Sequence, residues 1–230
     1  MAEQLVFDLP QRAAMARTAF LVADSNREAV ALIDGFADWQ QPVQWIYGPS
    51  GAGKSHLADV LANQCHALTC VATDLDGADV SALLAGDATC DVLIIDRLDA
   101  LPKPCEEVLF HLLNYARHQS QKILLLSEQG AGQLPVGLPD LASRLKAIAA
   151  IALKSPDDSL MRGLLLKLFG DRQLKIEPRV VDYLLPRIER DYANIVALVG
   201  RIDGQALAEK RAITVPMVAE FLESHISDTE

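Results

Sequence analysis

Residues 48–55 read Gly48-Pro49-Ser50-Gly51-Ala52-Gly53-Lys54-Ser55 and satisfy G-x-x-x-x-G-K-[ST] at every fixed position. The octet follows the apolar Trp45-Ile46-Tyr47 directly and opens a helix-period stretch, which is the strand-to-helix setting the motif requires. Glycines let the backbone curl until successive N–H groups face one phosphate, and the dipole of the following helix adds positive potential. Lys54 is then expected to reach the β- and γ-phosphates, with the Ser55 hydroxyl at one Mg position. A plain glycine-rich turn is the structural alternative. The expected cofactor is ADP or ATP with Mg, held by Gly48, Pro49, Ser50, Gly51, Ala52, Gly53, Lys54 and Ser55.

Short apolar runs alternate with helix-period stretches on both sides of this loop, the pattern of a parallel sheet with crossover helices. Strands are expected at 44–47, 68–73, 92–95, 123–127 and 148–153, each apolar as strands covered on both faces are. Helices are expected at 55–65, 81–85, 105–119 and 139–147, giving a doubly wound α/β domain that ends near Leu153. Beyond Lys154 the strand signals stop. Ser155-Pro156-Asp157-Asp158 supplies a cap and an N-terminal proline for a helix to about Phe169, and further helices are expected near 178–188, 192–210 and 214–224. The expected organisation is an N-terminal peptide at 1–12, a nucleotide-binding base at 13–153, a small all-helical domain at 154–226 and a polar tail at 227–230.

The chain has 21 basic and 31 acidic residues, a formal charge of −10, so net charge does not hold it to nucleic acid. Residues 154–230 carry 11 basic and 13 acidic side chains, which puts most of the excess negative charge before them. The start Met1-Ala2-Glu3-Gln4 has no basic region leading into an apolar core, and no run suits a membrane span; a cytoplasmic protein is expected. Cys65, Cys70, Cys90 and Cys105 form no C-x-x-C pair, and reduced thiols are expected.

Val92-Leu93-Ile94-Ile95-Asp96 places an acid after four apolar residues, the second Mg position beside Ser55; a capping aspartate is the alternative. A hydrolytic site commonly follows that aspartate with another acid to orient water. Here Arg97 stands instead, and a guanidinium cannot accept a proton at neutral pH. Asp99 is two residues further on, at a turn expected to aim it elsewhere. Little or no intrinsic hydrolysis is expected.

Several segments resemble the DnaA branch of the AAA+ ATPases, and most closely the Hda family of DnaA homologues, over nearly the whole chain. Phe20-Leu21-Val22-Ala23-Asp24-Ser25-Asn26 resembles the segment before the nucleotide site, and Gly53-Lys54-Ser55-His56-Leu57 the extended P-loop, which adds His56 to the nucleotide-binding set. Gly137-Leu138-Pro139-Asp140-Leu141-Ala142-Ser143-Arg144-Leu145 is similar to the family's box VII, whose arginine finger is Arg144 here. Without the resemblance, Arg144 reads as a solvated arginine on an amphipathic helix. Gln4-Leu5-Val6-Phe7-Asp8-Leu9 resembles the Q-L-x-L-x-L clamp-binding peptide, with Gln4, Leu5, Phe7 and Leu9 as contacts; its alternation alone equally describes an edge strand.

Two departures accompany the resemblance. Ala193 stands at the apparent sensor 2 position, where an arginine is usual, with Arg190 three residues away, and Glu128 follows Ser127 at the sensor 1 position. The resemblance implies an AAA+ P-loop fold with a five-stranded parallel sheet and a helical lid. It also implies a nucleotide-bound negative regulator of replication initiation that, with the DNA polymerase III sliding clamp, promotes hydrolysis of DnaA-bound ATP through Arg144 in trans. A homodimer is compatible with it. The chain ends at Glu230 with no helix-turn-helix domain, so sequence-specific DNA binding is not expected. The alternative class is an autonomous P-loop ATPase such as a helicase loader.

Overall fold

A computed structural model describes residues 21–86 and 89–226. The peptide containing Gln4, Leu5, Phe7 and Leu9 lies outside the described residues. Strands β1 (Val43–Tyr47), β2 (Ala67–Val71), β3 (Val92–Asp96), β4 (Lys122–Ser127) and β5 (Ala150–Ala152) form one parallel sheet in the order β2-β3-β4-β1-β5. Helices α1 (Arg27–Asp34), α2 (Lys54–Ala62), α3 (Ala78–Ala85), α4 (Cys105–Gln119) and α5 (Pro139–Ala147) cover it. Parallel neighbours cannot be joined by a hairpin, so each connection crosses the sheet through a helix.

Successive side chains of a strand point to opposite faces, and the core divides accordingly. Trp45, Leu93, Ile95, Ile123 and Leu125 pack with Leu109 and Leu112 of α4 and Leu141 and Leu145 of α5. Ile46, Val92, Ile94, Leu124 and Leu126 pack on the other face with Ile33 of α1 and Leu57 and Leu61 of α2. The expectation that all five strands are covered on both faces holds for the middle of the sheet only. Edge strands β2 and β5 contain no fully buried residue, because each has a neighbour on one side alone.

Other differences are local. Strand β2 ends at Val71, two residues early, since residues 72–74 fold into a 3₁₀ turn that buries Ala72. Helix α1 is an element the apolar pattern does not predict; its eight residues bury Ala29, Val30 and Ile33.

A second core belongs to α6 (Asp158–Asp171), α7 (Pro178–Leu184), α8 (Tyr192–Glu209) and α9 (Val215–Ile226), and includes Met161, Leu165, Phe169, Val181, Ile202 and Phe221. Within the expected segment 155–158 the cap of α6 is Asp157, its carboxylate accepting from Leu160 N at 2.7 Å, so Pro156 precedes the cap instead of opening the helix. Helix α7 gives way at Leu184 to a 3₁₀ turn through Pro186, which has no N–H to continue the helix. Among the described residues no helix is long and apolar enough to cross a membrane.

Candidate nucleotide site

The carboxyl ends of β1, β3 and β4 converge, as the ligand end of an open α/β sheet does. From β1 the chain enters the glycine-rich loop, pinned by Gly48 N donating to Ser127 O at 3.1 Å. The turn needs left-handed backbone at Gly51 (φ 73°) and Gly53 (φ 99°), a conformation that L side chains resist. Helix α2 starts at Lys54, so the N-terminal dipole end faces the loop.

A cleft of about 570 Å³ opens over this loop. It gathers Ser50, Gly51, Gly53, Lys54, Ser55 and His56 from the expected set, together with Asp96. Lys54 Nζ donates to Gly48 O at 2.7 Å and Pro49 O at 2.9 Å, lying across its own loop. Burial lowers the Lys54 pKa, while Glu128, Asp96 and Asp99 oppose that shift by favouring the cation. Ser55 Oγ donates to Asp96 Oδ2 at 3.0 Å, so a hydroxyl and a carboxylate sit together at the cleft floor. These are hard oxygen donors of the kind Mg takes, and they fit an ion that would complete its shell with phosphate and water. Among the described residues no cluster of His, Cys, Asp and Glu could hold a metal by itself.

Asp99 does face the cleft, contrary to the sequence expectation. It sits in a 3₁₀ turn after β3, and its carboxylate accepts from Glu128 N and Gln129 N, the latter at 3.0 Å. Those amides hold the carboxylate as a brace for the end of β4. Ser127, buried and accepting from Trp45 Nε1 at 2.8 Å while donating to Gln129 O at 2.6 Å, lines the cleft together with Glu128. Arg97 follows Asp96 in a left-handed conformation (φ 55°), with its own N–H bonded to Asp96 Oδ1 at 2.7 Å.

Arg144 is not among the residues lining the cleft. It lies on α5, half-buried, with its guanidinium carbon 4.8 Å from the centroid of the Phe110 ring of α4. Among the described residues it has no salt bridge with a carboxylate. The same helix α4 carries Glu106, a buried acid whose sequence context, Cys105-Glu106-Glu107, gives no sign that it differs from a solvated one.

Comparisons with known proteins place this geometry. Domain III of the Thermotoga maritima replication initiation protein DnaA superposes with a TM-score of 0.79 at 16% identity, covering 94% of this chain and 98% of that one. AMPPCP-bound DnaA from Aquifex aeolicus gives 0.72 at 20% identity over 83% of this chain, which spans 65% of that chain. An uncharacterized protein of Haemophilus influenzae is 25% identical over 193 residues, covering 81% of this chain and 84% of the relative. The structural likeness establishes an AAA+ fold. Residues 161–222 match the family model described as the Hda lid domain. The lid is similar to an Hda lid. That likeness covers the lid alone, and the base shares the fold of the DnaA structures.

The lid reaches the cleft through the start of α8. Tyr192 stacks on the buried His56 ring, centroids 4.5 Å apart and planes 18° from parallel, and joins the base to the lid at the edge of the phosphate loop. Burial holds the His56 pKa below its usual value. Asp191, which the sequence reading does not single out, caps α8 by accepting from Asn194 N at 2.9 Å and lies against Gly51. A Cβ at Gly51 would stand 2.5 Å from Asp191 Oδ2. Arg190 does not take the place of a sensor 2 arginine: it donates to Pro156 O at 3.2 Å and pairs with Asp158, away from the cleft lining. Ala193 lies in the first turn of α8. The cleft thus presents Asp96, Asp99, Glu128 and Asp191 against the cations Lys54 and Arg97, an excess of carboxylates that a bound divalent cation would offset when a polyphosphate enters.

Proposed function

We propose that this chain is a nucleotide-bound regulator that supplies Arg144 to ATP held by DnaA, while the sliding clamp on DNA holds the regulator through Gln4, Leu5, Phe7 and Leu9. The Hda lid and the DnaA-like fold support the coarser statement, a DnaA-related regulator of replication. The observation that carries the finer reading is the separation of the two chemistries. The phosphate loop and Asp96 share one cleft, whereas Arg144 lies outside it with no carboxylate salt bridge among the described residues.

A guanidinium offered at a subunit edge stabilises charge on the phosphoryl group transferred in a neighbour's site, and supplying one in trans is worth roughly 10³–10⁵ in rate in related NTPases. In this reading the chain's own nucleotide, ADP or ATP with Mg on Ser55 and Asp96, orders base and lid. Arg97 after Asp96 cannot accept a proton from water, and two backbone amides hold the Asp99 carboxylate, so self-sufficient turnover through either position is disfavoured. The test mixes DnaA–ATP, DNA-loaded clamp and either the natural chain or Arg144→Ala. The natural chain accelerates hydrolysis; Arg144→Ala binds its own nucleotide normally and does not. Equal acceleration by both, or strong turnover by the isolated chain, contradicts the reading.

A further inference from the structure

Helix α5 begins without a side-chain cap of its own. Its N-cap position is Leu138, which has no acceptor, and Pro139 follows at the first helical position. The chain leading into the helix is instead held from α4. Glu106, 5% exposed, accepts from Gly137 N at 2.9 Å and 3.1 Å through its two oxygens, and from Leu138 N at 2.6 Å through Oε2. Among the described residues no lysine or arginine pairs with it in a salt bridge, and its hydrogen bonds run to backbone amides.

Burying a carboxylate is costly unless its oxygens are satisfied, and a residue whose buried charge serves only backbone amides fixes the position of that backbone. The backbone fixed here is the entry to the helix that carries Arg144. Glu106 and Phe110 are four residues apart on α4, hence on one face, and they hold α5 at two points: the carboxylate at its entry and the aromatic ring under the guanidinium. A helix anchored at its entry keeps one axial direction, and the direction of α5 sets where the guanidinium ends.

We propose that Glu106 is the positioning residue of the arginine finger: the carboxylate of α4 holds the Gly137 and Leu138 amides at the entry to α5 and fixes the axis along which Arg144 is presented to the partner's nucleotide. This rests on the reading of Arg144 given above. Glu106 touches no nucleotide, and its effect passes through α5.

The test compares Glu106→Gln, which keeps one acceptor oxygen, and Glu106→Met, which keeps volume and loses both, with Arg144→Ala. DnaA-bound ATP hydrolysis is measured as a function of regulator concentration with loaded clamp. Glu106→Met lowers the maximal rate on the order of tenfold to a hundredfold, as small misplacements of a reacting group do, and leaves the half-saturating concentration unchanged. Glu106→Gln falls between it and the natural chain, and Arg144→Ala with Glu106→Met loses no more than Arg144→Ala alone. Natural-rate stimulation by Glu106→Met, or a loss confined to the half-saturating concentration, overturns the proposal. Unimpaired stimulation by Arg144→Ala instead overturns the finger reading itself. Amide exchange in the unmutated protein decides the matter should the Met variant not fold: Gly137 and Leu138 amides are protected if Glu106 holds them, and exchange at loop rates contradicts it.

Discussion

Gly51 shows how narrowly the phosphate loop is specified. Its φ of 73° disfavours any side chain, and a Cβ there would meet Asp191 of the lid at 2.5–2.9 Å. Gly51→Ala therefore strains the loop and pushes the lid outward at once; nucleotide affinity falls at least tenfold by titration calorimetry while the circular dichroism of the base is retained. His56 makes a separate prediction. Its pKa in the folded chain lies below the usual 6.5, so the folded state resists protonation that the unfolded chain accepts. The stability this group contributes is fully present above pH 6.5 and is lost as pH falls through the lower folded value. Because His56 stacks on Tyr192, the acid-induced loss of melting temperature is smaller in His56→Phe, which keeps the stack and removes the proton; an unchanged pH slope would contradict the assignment.

At the scale of elements, legibility follows the physics of each segment. Helices α4 and α5 start and stop at the residues expected from the sequence, because strong periodicity meets clear ends. Helix α1 escapes notice: eight residues with three buried positions carry too little period to separate from a loop. Side chains of the P-loop and Asp96 are legible because the motif dictates backbone and chemistry together. Asp191, Tyr192 and Glu106 are not, since their partners Gly51, His56 and the amides of Gly137 and Leu138 are distant in sequence and local pattern carries no trace of them. Asp157 as the cap of α6 carries its own prediction. Asp157→Ala costs about 1 kcal/mol in chemical denaturation, whereas Ser155→Ala is near neutral.

Across the whole molecule, the base provides a cleft with excess carboxylate, the helical lid lines one side of it through Asp191 and Tyr192, and Arg144 stands apart on α5. An acidic chain of this kind has no net-charge grip on DNA, which is why the proposed attachment runs through a short N-terminal peptide and a clamp. The central claim is that the ATP cleaved belongs to the partner. Single-turnover hydrolysis decides this most directly: γ-labelled ATP is preloaded on DnaA, this chain is supplied with unlabelled ADP, and loaded clamp is added. The account predicts rapid release of labelled phosphate with the natural chain and the unstimulated rate with Arg144→Ala. Release at the same accelerated rate with Arg144→Ala would contradict it.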